Sequence, residues 1–229
     1  MKRRRNSQAI PEEIQELLHS EDIEYVNQGL FFADSIGIDG DTLIQWMIKQ
    51  KILPKLMDSW QNTRLQKQTF LLLLESFPDA QYFQSVKRLN LSRMNLEYIP
   101  DEIGNLKNLE SLNLSDNNLR ELPDSIGNLK NLKLWYLTEN NLTELPDSIG
   151  KLTNLEMLDL YDNNLRELPD SIGKLGNLKT LFLHKNKLRD LPDSIGNLKN
   201  LEWLILDQNN LTELPDSIGN LKNLEKLYL

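Results

Sequence analysis

Two columns of carboxylates are the groups in this sequence best placed by type and number for acid–base chemistry. Asp124, Asp147, Asp170, Asp193 and Asp216 form one, and Glu121, Glu144, Glu167, Asp190 and Glu213 the other. Each column is a single position copied at a step of 23 residues. The aspartates follow proline, which suits caps or turn formers. The second column would place like charges about 5 Å apart across strands, partly offset by Arg120, Arg166 and Arg189. Both columns are expected to be structural. Cysteine is absent and His19 and His184 are the two histidines, which leaves no zinc cluster and no thiol nucleophile. Asp39-Gly40-Asp41 lacks the ligand spacing of a calcium loop, and no phosphate-binding glycine motif occurs. No catalytic residue, metal ligand or cofactor is assigned.

The carboxylates belong to a repeated unit, seen in full as Leu109 to Asn131. LPDSIG begins at Leu122, Leu145, Leu168, Leu191 and Leu214, and IPDEIG one step earlier at Ile99. A fixed period of about 20 to 50 residues signals stacked supersecondary units. Within the unit Leu112 and Leu114 alternate with Ser111, Asn113 and Ser115, the pattern of a short strand with one buried face. Leu122, Ile126 and Leu129, behind Pro123, suit a short helix or 3₁₀ turn. A strand and a short helical return, repeated, stack into one parallel sheet.

Asn117, Asn140, Asn163, Asn186 and Asn209 fall where each strand turns inward. A buried turn must pair its backbone groups, and an amide side chain both donates and accepts. These residues are expected to form a ladder tying each repeat to the next. The repeated glycines are expected in turns.

The LxxLxLxxNxL and LPDSIGxLxNL patterns over residues 86–229 resemble the leucine-rich repeat family, in particular its 23-residue subclass of plant Ras-group, scaffold and bacterial proteins. The resemblance implies an α/β solenoid with a parallel sheet on the concave face and short helices or 3₁₀ turns on the convex face. It also implies that the concave face recognises proteins.

The chain has 229 residues, 39% of them apolar, and a net charge of −8. That balance opposes nucleic-acid or membrane-surface partners, which call for a basic field. The longest apolar run, Phe70 to Leu74, is far shorter than a membrane span. Met1 to Arg5 is basic, but no apolar core of a secretory signal follows it. Residues 1–9 read as a disordered basic tail. Lack of cysteine excludes disulfide-bonded caps and points to the cytoplasm, including that of another cell reached by a translocated bacterial protein.

Residues 10–82 break the period and read as an α-helical N-terminal cap domain, with residues 83–229 forming six full repeats and a partial seventh. Pro11 opens a helix through Ile14, Leu17 and Leu18. Ser20 caps a second through Ile23, Val26, Leu30 and Phe31 towards Gly37, and Asp41 a third through Leu43, Ile44, Met47 and Ile48 to Leu53 and Pro54. A fourth runs from Leu56 to Phe77 with a break near Asn62. Met94 and Tyr98 replace the polar residues of later copies and are expected to be covered by these helices, because a solenoid end exposes its core.

Positions between the framework leucines face solvent and vary from copy to copy. Leu134, Tyr136, Met157, Asp159, Tyr161, Phe182, His184, Trp203, Ile205 and Tyr228 fall there and are the expected partner-binding residues. A contiguous apolar patch on a sheet face that should be polar marks an interaction site, and Tyr and Trp are typical anchors. The function expected is a non-enzymatic module binding a protein or peptide on its concave face. The competing reading is an enzymatic or signalling activity in the helical domain, with the repeats as its targeting module. The last copy stops at Leu229 after its strand, so either the chain is a fragment or a second copy pairs along that strand as a homodimer.

Overall fold

The computed structural model describes residues 10–19, 28–30, 33, 38, 40–49, 71–76 and 81–229. It divides into two compact units, Met1–Val86 and Lys87–Leu229. In the first, α1 (Glu12–Leu18) follows Pro11, which holds the extended N-cap geometry, and buries Ile14 and Leu18. α2 (Gly40–Lys49) buries Leu43, Ile44 and Met47 along one stripe. The helix begins at Gly40, one residue before Asp41. Residues 71–76 are helical, and a 3₁₀ segment, Gln81–Ser85, precedes the repeats. The expectations for residues 1–9, for Ser20 with Ile23 and Val26, for Leu53 and Pro54, and for a break near Asn62 lie outside the described residues.

The second unit is a seven-stranded parallel sheet in sequence order: β1 (Arg88–Asn90), β2 (Ser111–Asn113), β3 (Leu134–Tyr136), β4 (Met157–Asp159), β5 (Thr180–Phe182), β6 (Trp203–Ile205) and β7 (Lys226–Tyr228). Each strand is three residues long; in β1 to β6 the middle residue is buried in the core and in β2 to β6 the flanking two are half-buried, whereas all three residues of β7 are exposed. Register follows the repeat, with Leu112 beside Trp135 and Leu158 beside Leu181. Trp135 occupies a leucine position and is wholly enclosed, its indole N–H without a partner.

Opposite the sheet run 3₁₀ segments, Asp124–Asn128 being typical. Pro123, with φ −69° and ψ 147°, sits at the N-cap, and Leu129 closes the turn by donating to the Ile126 carbonyl at 3.1 Å. The repeated aspartates consequently are not caps: they occupy the first turn, exposed, and no side-chain cap hydrogen bond forms. There a carboxylate still complements the unpaired N–H groups. Each Ile of the LPDSIG motif, up to Ile195, is buried in the core.

The motif's glycine has a different duty from forming a turn. A Cβ at Gly127 or Gly150 would come within 2.6 Å or 2.7 Å of the carbonyl oxygen of Ser148 or Ser171, one repeat on. Glycine lets the convex layers close together, and the facing serine is the small residue that meets it. At Gly219 a Cβ would meet nothing within 4 Å.

Candidate functional site

Strands β2 to β6 each end in a turn that a ladder asparagine holds. Asn117 Nδ2 donates to the Leu114 carbonyl of its own repeat at 2.8 Å and to Leu91 of the preceding one at 2.9 Å. Its Oδ1 accepts from the Met94 and Leu96 amides, both at 3.0 Å. Asn140, Asn163, Asn186 and Asn209 repeat the arrangement, accepting from Leu119, Leu142, Leu165 and Leu188. The tie runs backward along the chain, to the preceding repeat. Asn117 to Asn186 are buried to 6–7% exposure, and Asn209 is half-buried.

The residue before each ladder position adopts the left-handed conformation: Arg93, Asp116, Glu139, Asp162, Lys185 and Gln208 all have φ between 54° and 60°. Such geometry costs a non-glycine residue roughly 1–2 kcal/mol. All of these residues but Gln208 are charged, and they form a border along one side of the sheet face. Arg93 pairs with Asp116 at 3.2 Å and Lys185 with Asp162 at 2.7 Å. Between them Glu139 faces carboxylates on both sides; hydrogen bonding to Asp116 and repulsion from it, with smaller effects of burial and Asp162, push its pKa up.

Along the other side, at the residue before each of β1 to β6, charge alternates as Lys87, Glu110, Lys133, Glu156, Lys179, Glu202; Glu225, before β7, does not continue the alternation. Glu110 bridges Lys87 at 3.3 Å and Lys133 at 3.6 Å, which holds its pKa below the usual range. Lys179 meets Glu156 at 2.9 Å, and that contact raises the lysine's pKa. The five ion pairs among the described residues lie in these two borders. Arg120, Arg166 and Arg189 take part in none of them.

Between the borders lie the variable positions. Leu134, Tyr136, Met157, Asp159, Phe182, Trp203 and Ile205 are the flanking residues of β3 to β6, all half-buried against their cross-strand neighbours. Tyr161 and His184 follow on the same face, stacked at 4.2 Å between ring centroids, and Phe182 meets the His184 ring edge-on at 6.1 Å. Lys185 reaches over Tyr161, donating to its hydroxyl at 3.1 Å. His184 Nδ1 is enclosed and has no partner. Lys226 Nζ stands 3.8 Å above the Trp203 ring, while Tyr228, on β7, is 54% exposed. In the first repeat Met94 is buried, but Tyr98, expected to be covered, is 65% exposed.

Several features escaped the sequence reading. A second asparagine column, Asn131, Asn154, Asn177, Asn200 and Asn223, donates to carbonyls 24 residues back at 2.6–2.9 Å. Its 23-residue recurrence was in plain view, as was the alternation of lysine and glutamate. No composition signal marks the left-handed positions, because none is glycine.

A family model described as leucine-rich repeat region matches residues 81–164 and 157–229. A leucine-rich repeat protein of Leptospira interrogans is similar in structure, with 32% identity and a TM-score of 0.58, over 82% of this chain and 57% of its own. A TDR receptor shares 31% identity with a TM-score of 0.59 over 67% of this chain and 28% of its own. TLR13, in a complex with ssRNA13, shares 32% identity with a TM-score of 0.59 over 68% of this chain and 22% of its own. The chain thus spans 57% of the first of these and less of the others. No curated protein sequence matches it. With a family match that runs over residues 81–229 and a similar fold in a leucine-rich repeat protein 32% identical to it, the chain belongs to the leucine-rich repeat proteins.

Proposed function

We propose that this leucine-rich repeat module binds a protein or peptide on the concave face of its sheet, across β3 to β6. The observation that carries the reading is the half-buried apolar and aromatic stripe built by Leu134, Tyr136, Met157, Phe182, Trp203 and Ile205. A sheet face turned to solvent is ordinarily polar, and contiguous apolar surface bordered by charge is what interfaces use. The fold family supports an interaction role. The stripe has the rigid aromatic anchors that carry binding energy, on backbone held by the asparagine ties. A small ligand fits the surface less well, since an open sheet offers no enclosing cavity.

A pull-down from lysate with the intact chain and with the Phe182→Glu, Trp203→Glu double variant tests this reading. Loss of the captured protein from the variant, with an unchanged far-UV circular dichroism spectrum, is the expected result. Identical capture by both would remove the site from this face.

A further inference from the structure

Parallel register places Tyr136, Asp159 and Phe182 side by side on β3, β4 and β5, so a carboxylate sits between two aromatic side chains in the middle of the apolar stripe. Asp159 is half-buried, and its Oδ1 accepts the Tyr161 amide at 3.1 Å. None of the five ion pairs among the described residues includes it. Two lysines of the flanking borders are engaged elsewhere, Lys179 by Glu156 and Lys185 by Asp162. Asp207 and Glu139 are also outside these ion pairs.

A partner that covers Tyr136 and Phe182 must also cover Asp159. Stripping water from a carboxylate is unfavourable unless a cation replaces it. We propose, building on the sheet-face reading, that the partner is a peptide segment that sets an arginine against Asp159, with apolar side chains to either side. A planar guanidinium can pair with a carboxylate and lie against aromatic rings at the same time, which an ammonium does less well. The same face already holds a cation over an aromatic ring, Lys226 above Trp203.

The test is selection of a displayed random 12-residue peptide library on the intact chain, with affinities of the recovered peptides measured by calorimetry. Arginine flanked by aliphatic or aromatic residues is the expected enrichment. Asp159→Asn keeps an acceptor for the Tyr161 amide and should weaken the best peptide at least about fivefold. Replacing the peptide's arginine by glutamine should weaken it similarly, with little further loss when the two changes are combined. Recovered peptides without arginine, or binding indifferent to Asp159→Asn, would overturn this inference and leave the sheet-face reading standing. Peptides held equally by the Phe182→Glu, Trp203→Glu variant would overturn the sheet-face reading as well, as would the absence of any enrichment. Retention of a single-stranded RNA oligonucleotide that this double variant abolishes would replace the cationic peptide with a nucleic acid.

Discussion

Gly150 lies so close to Ser171 that an added Cβ would stand 2.7 Å from the serine carbonyl oxygen and 2.8 Å from its Cβ. Both are buried, and the nearest obstruction is backbone, which cannot rotate away. Gly150→Ala is therefore expected to force the two repeats apart and lower stability by about 1–3 kcal/mol. Gly219→Ala, at the equivalent position with open space beyond, should change it by less than about 0.5 kcal/mol. Thermal denaturation of both variants checks the pair; equal losses would show that the close approach is not what the glycine serves.

Ser171 itself has a buried hydroxyl without a hydrogen-bond partner, as does Ser148. An unpaired buried hydroxyl opposes folding. Ser171→Ala should leave stability unchanged or raise it by up to about 1 kcal/mol, whereas Ser171→Val, which enlarges the residue facing Gly150, should lower it. Denaturant titration separates the two.

Asn163 donates to the carbonyls of Leu137 and Leu160 and accepts from the Leu142 amide. Alanine there orphans buried groups of two repeats and is expected to cost about 1–3 kcal/mol or more. Asn164 contributes its backbone amide, to Leu142, and Asn164→Ala should change stability little. Urea unfolding of the two alanine variants measures the difference.

Glu139 has its pKa raised chiefly by Asp116, so the folded chain holds that proton more firmly than the unfolded chain does. The sign follows from linkage: the penalty is absent below the ordinary carboxylate value of 4.5, grows as the pH rises through the raised value, and is complete above it. Glu139→Gln should raise the melting temperature at pH 7 and not at pH values near or below the ordinary one, an effect that salt should diminish. Glu110, whose pKa Lys87 and Lys133 lower, behaves oppositely: Glu110→Gln should lose stability at neutral pH and lose less as acid protonates the wild-type carboxylate. Melting curves against pH for the two variants should cross in opposite senses.

The repeat's frame was legible because it obeys local rules. Leu112 and Leu114 report a strand by alternation, Pro123 announces the 3₁₀ turn, and a recurring Asn117 can only be a backbone partner in a turn. What was missed depends on neighbouring copies. That Gly127 must be glycine is decided by Ser148, and that Glu139 is electrostatically stressed is decided by Asp116. Of the two expectations for the aspartates after proline, caps or turn formers, the first fails because proline takes the cap position itself and leaves them in the first turn. Positions on the solvent face were legible as a column, but the aromatic pairing of Tyr161 with His184 needed the strands in register.

Every ladder asparagine reaches back the same distance: Asn209 finds the Leu183 carbonyl and Asn186 that of Leu160, each 26 residues before it. Removal of a whole unit is therefore expected to leave a continuous solenoid, shorter by one interface. Excising Leu178 through Asn200 would bring Asn209 to the Leu160 carbonyl and Ser217 to Gly173, with every framework contact re-formed between new neighbours. A cooperative melt for such a deletion would check this. The recognition face would not survive in the same way, since Asp159 would exchange Phe182 for Ile205 at its side. Gain and loss of copies can thus rewrite what the surface reads while the frame beneath it stays the same, so specificity in this chain is free to evolve by duplication and excision without a period of misfolding.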